Sequence, residues 1–368
     1  MELREKFGFG CMRLPMNGDS VDYPEFTRMI DAFMEAGFNY FDTAHGYLDG
    51  KSELAIKDCL VARYPRDSYY LTDKLTTHYF NTEEEIVPLF EKQLKNTGVD
   101  YFDYYFFHSI TAKNYVKFTN THAFEHAQKF KEEGRIKHIG MSFHDKAEVL
   151  DRVLSEHPEI EVVQIQFNYA DYEDESIESK KVYDVCVKYN KPVLVMEPIK
   201  GGALVNLPDH AKVHLDALNG GSYASYAIRF AASFENVMMV LSGMSNFEQL
   251  QDNISYMKDF KPFTKEEYEA VFKVRDELKT LGDIKCTACR YCVDGCPKNI
   301  SIPDLFSCYN AKKIFNDWNS AFYYGTHTAN KGKASDCIKC GKCEITCPQH
   351  LNIRDLLEEV ANTFEKKA

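Results

Sequence analysis

Between Lys6 and Phe260 short apolar runs alternate with longer stretches whose apolar positions recur every three or four residues. The short runs predict strands over Phe7–Cys11, Asn39–Thr43, Tyr69–Leu75, Phe102–His108, His138–Phe143, Val162–Asn168, Val193–Glu197 and Val237–Gly243. The longer stretches predict helices over Tyr23–Ala36, Ser52–Val61, Glu83–Thr97, Ala123–Glu133, Lys146–Glu156, Ile177–Tyr189, Tyr223–Ser233 and Phe247–Asp259. Several of the strands are almost continuously apolar, as strands covered on both faces must be. Strict alternation of strand and helix over this length predicts an α/β TIM-type (β/α)₈ barrel. An open doubly wound sheet is the rival, but no Gly-x-Gly-x-x-Gly follows the first strand.

The pattern changes after Pro262. A polar helix is predicted over Lys265–Leu281, and a cysteine-rich region follows with further helices over Ile302–Phe315 and Ile353–Phe364. This divides the chain into a barrel over residues 1–262, a linker helix within 263–282 and a mainly α-helical domain over 283–368.

Of 12 cysteines, eight form two matching runs. The first is Cys286-x₂-Cys289-x₂-Cys292-x₃-Cys296-Pro297, and the second is Cys337-x₂-Cys340-x₂-Cys343-x₃-Cys347-Pro348. Such clustering is unlike a secreted disulfide framework. Zinc ribbons use paired Cys-x-x-Cys halves, whereas four cysteines closing on a proline suit iron–sulfur chemistry. The spacing resembles that of two-cluster ferredoxin domains, in which the fourth cysteine of each run ligates the other cluster. That resemblance implies one [4Fe–4S] cluster on Cys286, Cys289, Cys292 and Cys347, and a second on Cys337, Cys340, Cys343 and Cys296. The isolated Cys11, Cys59, Cys186 and Cys308 read as core or surface residues, and Cys308, near the cysteine runs, as a packed thiol rather than one lining a cluster.

Composition narrows the classes. Hydrophobic residues make up 44% and charged residues 27% of the chain, which are globular values. The net charge of −12 argues against a nucleic-acid partner. No apolar run is long enough to suggest a membrane span, and Met1 to Pro15 lack a signal-peptide layout, so a cytoplasmic protein is expected. From Asp283 onward there are 12 Lys/Arg against 10 Asp/Glu, compared with 32 against 46 before it, a balance suited to holding anionic thiolate clusters.

The barrel carries its own candidate chemistry. Asp42, Lys74 and His108 stand at the ends of the second, third and fourth strands, and Tyr47 follows Asp42 in the loop. The C-terminal ends of barrel strands are where reacting groups converge. Hydride reduction of a carbonyl needs an acid for the developing alkoxide, and tyrosine next to a lysine cation gives up its proton more easily. A buried lysine needs a carboxylate, which Asp42 supplies. His108 can orient the carbonyl oxygen by a hydrogen bond.

From Gly8 to Asp259 the chain resembles the aldo-keto reductase family, through Gly8-Phe9-Gly10-Cys11-Met12-Arg13-Leu14-Pro15, Phe41-Asp42-Thr43-Ala44 with Tyr47, Lys74, and Asp103-Tyr104-Tyr105 with His108. Ile139-Gly140-Met141-Ser142, Gln164-x-Gln166-x-Asn168-Tyr169 and the Asn246-to-Asn253 segment continue it. The resemblance implies a catalytic tetrad of Asp42, Tyr47, Lys74 and His108, with Tyr47 as proton donor. It also implies NAD(P)H as cofactor, with Ser142 and Gln164 at the carboxamide and Gly10, Cys11, Met12 and Asn253 nearby. Lys200-Gly201-Gly202 after the seventh strand and Ser242 to Asn246 after the eighth are candidates for the pyrophosphate, with plain turn chemistry as the alternative. Phe143 and Met196 depart from the family pattern. So do Gly243 and Gln249, which stand where many NADPH-dependent members carry Lys and Arg, so weak discrimination between NADH and NADPH, or a preference for NADH, is expected. The ferredoxin-like tail resembles an iron–sulfur branch of the family.

Two functions follow as expectations, beside a third reading in which the clusters only staple the tail to the barrel. The first is reversible NAD(P)H-dependent reduction of a small aldehyde or ketone. The alternative is an electron-transfer protein whose clusters serve a redox partner such as a ferredoxin or flavoprotein, with the barrel docking or sensing cofactor. No flavin motif joins the two-electron and one-electron chemistries. Thr76–Asn81 and Ile110–Thr121 are the loops expected to set specificity.

Overall fold

The expected strands pair in parallel and close on themselves. In the computed structural model, residues 5–365 are described except for Ser176, Gly282, Asp283, Thr287, Cys289 and Pro348. Among the described residues the barrel strands are β1 (Phe7–Gly10), β2 (Tyr40–Asp42), β3 (Tyr70–Leu75), β4 (Phe102–Ile110), β5 (Ile136–Phe143), β6 (Val162–Gln166), β7 (Val193–Met196) and β8 (Val237–Ser242). Each pairs with its sequence neighbours, and β1 closes the ring by pairing with both β8 and β2.

Helices cover the outside: α1 (Tyr23–Glu35), α2 (Lys51–Ile56), α3 (Ile86–Thr97), α4 (Ala112–Asn120), α5 (Ala123–Glu132) and α6 (Ala147–Glu156). They continue as α7 (Ser179–Lys188), α8 (Asp209–Asp216), α9 (Tyr223–Ala232), α10 (Phe247–Met257) and α11 (Lys265–Thr280). The cysteine-rich domain holds α12 (Tyr291–Asp294), α13 (Ile302–Phe315), α14 (Asn319–Thr328), α15 (Lys342–Ile345) and α16 (Ile353–Phe364).

Two apolar layers hold the barrel. Tyr40, Tyr104, Phe106, Val162, Leu194, Met239 and Leu241 fill its interior. A larger cluster, rich in phenylalanine, lies between the strands and the helices. Gly140 allows the interior to close, because a Cβ there would stand 2.4 Å from a ring carbon of Phe106. The cysteine-rich domain has its own core around Ile300, Leu305, Phe306, Tyr309, Leu357 and Val360.

The structure departs from the sequence reading in places. A short hairpin, Met16–Asn17 with Ser20–Val21, precedes α1. The helix expected over Ser52–Val61 divides into α2 and a π-helical turn. The expected loop Ile110–Thr121 is mostly α4, started by the Thr111–Asn114 capping box. Helix α11, expected as a linker, buries Ala270, Val271, Val274 and Leu278 in the barrel's outer cluster.

Candidate active site and cysteine centres

Strand register brings three of the four expected catalytic side chains to one end of the barrel. Asp42 pairs with Thr72, which places the second-strand terminus beside β3, and Lys74 pairs with Phe106 two residues before His108. Tyr47 joins them from a tight turn in which Leu48 and Asp49 adopt left-handed φ values of 53° and 56°. That turn is anchored by the buried pair His45 Nδ1 and Glu53 Oε2, 2.9 Å apart, and Asn96 Nδ2 donates to Glu53 at 2.7 Å.

Lys74 is fully buried. Its Nζ donates to Asp42 Oδ1 at 2.6 Å and to the Thr43 carbonyl at 2.7 Å, and it lies 4.8 Å from the Tyr47 ring centroid. Burial alone would lower the Lys74 pKa, but the Asp42 carboxylate and the Tyr47 phenol reverse this and leave it raised. The Tyr47 ring meets the His108 ring edge-on at 5.8 Å. Burial pushes the Tyr47 hydroxyl up to about 12, and Lys74 offsets only part of that. The sequence reading weighed the lysine alone; in the folded site desolvation outweighs it, so Tyr47 is a protonated phenol. Burial, reinforced by Lys74 and His144, holds His108 well below its usual value and uncharged. His108 Nδ1 stands 2.6 Å from Thr76 Oγ1, so with that hydroxyl donating, the Nε2–H is left as the outward donor.

The site opens into a cleft of about 790 Å³. Gly10, Met12, Ser142, Gln164, Gly201, Gly243, Gln249 and Asn253 all line it, together with Asp42, Tyr47 and His108. Some already have partners. Ser142 Oγ accepts the Ser109 N–H at 2.7 Å, Asn253 Nδ2 donates to Ser242 Oγ at 3.0 Å, and Gln249 Oε1 accepts the Ser245 N–H at 2.8 Å.

Cys11 and Lys200 lie off the cleft wall. Cys11 is fully buried in the apolar cluster between strands and helices, and burial raises its pKa. Lys200 is 4% exposed and pairs with Asp171 at 2.6 Å and with Asp317 at 3.5 Å. These carboxylates outweigh the cost of burying the cation, leaving its pKa raised and its charge engaged within the protein. The expected pyrophosphate lysine is a domain tie instead.

Sequence reasoning missed other residues of the cleft. Arg13 lines it between the loops after β7 and β8, forms no ion pair among the described residues, and has its guanidinium 5.9 Å from the Trp318 ring. It sits inside the Gly8-to-Pro15 motif, where the cation was readable but its direction was not. His144, just beyond β5, also lines the cleft. Trp318, Asn319 and Phe322 come from the segment between the cysteine runs, which no barrel periodicity could have assigned to this site.

The cysteine runs build two separate cavities. Cys286, Cys292 and Cys347 line one, over Ile302, Phe306 and Ile353. Cys296, Cys337, Cys340 and Cys343 line the other. Each cavity thus draws its last cysteine from the opposite run, while the expected ligand Cys289 lies outside the described residues. The two loops match in backbone. Left-handed residues recur at Ala288, Arg290 and Asn299 of the first run and at Lys339, Gly341 and His350 of the second. Alternating handedness of this kind turns successive N–H groups to one side, which suits an anionic group. The Ile300 N–H also reaches Cys296 Sγ at 3.5 Å. Soft thiolates over an apolar floor fit an iron–sulfur cluster.

Comparison with known proteins matches two parts of the chain to different families. The profile of the Aldo/keto reductase family matches residues 6–276, and that of a 4Fe-4S dicluster domain matches residues 285–352. An uncharacterized oxidoreductase of Bacillus subtilis is 24% identical over 301 residues, covering 72% of this chain and 90% of that one. The 4-dihydromethyl-trisporate dehydrogenase of Mucor mucedo is 30% identical over 114 residues, so this chain spans 32% of that enzyme. Among solved structures, an aldo-keto reductase from Bacillus halodurans in its holo form superposes with a TM-score of 0.59 at 23% identity, covering 73% of this chain and 91% of that one. One from Klebsiella pneumoniae in complex with NADPH gives 0.60 at 18%, covering 73% and 90%. Among the described residues no helix is long and apolar enough to cross a membrane. With a barrel of this topology and a profile match over most of its length, the chain belongs to the aldo/keto reductase family.

Proposed function

We propose that this NAD(P)-dependent oxidoreductase reversibly reduces a small aldehyde or ketone at the cleft, using Asp42, Tyr47, Lys74 and His108, and carries two [4Fe–4S] clusters. The observation that carries the reading is the Asp42–Lys74 pair beneath the Tyr47 ring, 2.6 Å and 4.8 Å away from Lys74 Nζ respectively.

Nicotinamide, when bound, supplies hydride to the carbonyl carbon. The side chains manage the oxygen. The His108 Nε2–H holds it in place, and the Tyr47 phenol gives it a proton. Lys74 stabilises the phenolate left behind, and Asp42 keeps Lys74 charged and fixed. Ser142 and Gln164 suit a carboxamide, and Gly10, Met12, Gly201, Gly243, Gln249 and Asn253 suit the rest of an extended dinucleotide. Arg13 is the cation available for its phosphates. Arg229, another cation of the barrel, is committed to Glu267 at 2.7 Å.

Bound clusters exchange single electrons. We assign Cys286, Cys289, Cys292 and Cys347 to one, and Cys296, Cys337, Cys340 and Cys343 to the other. A specific observation favours electron exchange with a partner as a second activity: Cys340 is exposed, and Ile338 and Ile345 beside it are 57% and 87% exposed. Such an apolar edge suits a transient redox partner.

The test is anaerobic purification followed by iron and sulfide assays and by NAD(P)H oxidation with a panel of aldehydes and ketones. About eight irons per chain and aldehyde-dependent oxidation support the reading. Stoichiometric zinc, or no turnover with any carbonyl, overturns the corresponding half.

A further inference from the structure

Asp73 and Lys74 are neighbours on β3, so their side chains leave opposite faces of the strand. Lys74 enters the barrel mouth and is committed there to Asp42 and the Thr43 carbonyl. Asp73 enters the layer between strands and helices, where it meets Gln93 of α3 and Glu53 of α2. Asp73 and Glu53 are both 0% exposed. Two carboxyl groups so placed do not both ionise, since burial withholds the water that would offset the second charge.

The hydrogen bonds show which group keeps the proton. Both Glu53 oxygens meet donors. His45 Nδ1 lies 3.0 Å from one and 2.9 Å from the other, and Asn96 Nδ2 donates to Oε2 at 2.7 Å. Asp73 Oδ1 accepts the Lys74 N–H at 2.7 Å and Gln93 Nε2 at 2.9 Å. Asp73 Oδ2 finds no donor among the described residues, and the Glu53 carboxyl within hydrogen-bonding reach of Asp73 is another acceptor. A proton on Oδ2 satisfies both sides, with Asp73 donating and Glu53 accepting. Burial, then the Glu53 charge, pushes the Asp73 carboxyl well above the ordinary carboxylate range, in agreement with that assignment. Tyr105, raised by burial and by the same two carboxyls, stays a phenol and donates to Gln93 Oε1 at 2.6 Å.

The pair joins two parts of the tetrad. On one side Asp73 holds the Lys74 N–H, and Gln93 Nε2 also donates to the Lys74 carbonyl at 3.0 Å. On the other side Glu53 holds His45, at the start of the turn that carries Tyr47. An ionised Asp73 would push these two sides apart, and its charge would oppose loss of the Tyr47 proton.

We propose that Asp73 and Glu53 share one proton, and that the un-ionised Asp73 is a positioning residue that locks the Lys74 backbone against the turn carrying Tyr47. Its effect on rate rests on the reductase reading of the cleft; the shared proton does not.

Infrared difference spectroscopy of the full-length, cluster-loaded protein tests the proton without turnover. Parent minus Asp73→Asn is expected to show, at neutral pH, the carbonyl stretch of a carboxylic acid that shifts in heavy water. Asp73→Asn keeps the pattern, with its amide nitrogen donating to Glu53 and its oxygen accepting from Lys74 and Gln93. Carbonyl reduction in it is expected to stay within about three-fold of the parent. Asp73→Leu can make neither contact, and its kcat is expected to fall on the order of 10²-fold, the cost of about 1 Å of misplacement, with cofactor affinity kept. Circular dichroism and cofactor titration show that each variant is folded; should Asp73→Leu fail to fold, the infrared band and Asp73→Asn decide. The band in a protein that reduces no carbonyl would uphold the shared proton and end the reductase reading. An active parent without the band, Asp73→Asn as slow as a folded Asp73→Leu, or full activity in Asp73→Leu would overturn the proposal.

Discussion

Lys200 Nζ lies 2.6 Å from Asp171 of the barrel and 3.5 Å from Asp317 of the cysteine-rich domain, so one buried cation joins two carboxylates from different parts of the chain. Removing it leaves both carboxylates without this cation, although Asp171 keeps the Gln166 and Asn168 amides and Asp317 the Asn319 N–H. Lys200→Met is expected to cost on the order of 3–5 kcal/mol, the range for breaking a buried ion pair. Denaturant unfolding measures this, and a variant as stable as the parent would show that the contact contributes nothing.

Tyr47→Phe removes a proton donor and almost no volume. The rate of carbonyl reduction is expected to fall by about 10²–10⁴, the usual contribution of general-acid catalysis. Cofactor affinity, read by equilibrium titration, is expected to stay within about two-fold. Full activity in this variant would remove Tyr47 from the chemistry.

Arg13→Ala tests the cation sequence reasoning overlooked. A charge-assisted hydrogen bond contributes about 1.5–3 kcal/mol, so cofactor dissociation constants are expected to rise by about ten-fold or more. Comparing NADH with NADPH locates the contact. A larger loss for NADPH places Arg13 at the 2′-phosphate, and an equal loss places it at the pyrophosphate. Unchanged affinity for both would leave the cofactor without this anchor.

Crossed ligation predicts an unusual pairing of phenotypes. Cys296→Ala and Cys337→Ala belong to different runs but line one cavity, so they are expected to lose the same cluster, with the same change in the electron paramagnetic resonance spectrum. Each should retain about four irons. If Cys296→Ala instead resembles Cys286→Ala, the runs bind separately.

Stability should fall on mild acidification. Burial holds His108 well below the ordinary imidazole range and His144 and His327 at about 4. Below about pH 6.5 the unfolded chain takes up protons that the folded chain refuses, so stability present at neutral pH is lost as pH falls toward those values. Denaturant midpoints between about pH 7 and pH 5 measure the slope, and a flat profile would show that these rings titrate normally.

The barrel was legible because parallel strands covered on both faces leave continuous apolar runs, and because the helices between them carry one apolar stripe each. The convergence of Asp42, Lys74 and His108 was legible for a related reason: they sit at strand ends, whose direction the fold dictates. Tyr47 depended on a turn with left-handed Leu48 and Asp49, where only the resemblance pointed inward. Lys200 misled because a lysine beside two glycines suggests an anion site, while its actual partners, Asp171 and Asp317, are far away in sequence. Helix α14 was missed because apolar and polar residues mix around its circumference, one side meeting the barrel and another its own domain. Thr76 was read as part of a specificity loop, and its hydrogen bond to His108 needed the register of β3 against β4.

The turn at Asp317 and helix α14 give the spacing between the cysteine runs a meaning unrelated to iron. A compact ferredoxin spliced after α11 would supply every thiolate and still leave the barrel mouth open, because nothing in it would reach Lys200. The distance from Cys296 to Cys337 is in this sense a dimension of the barrel. Iron–sulfur modules of this length are not interchangeable parts, and an exchange between homologues would have to carry the intervening turn and helix along with its own barrel partners.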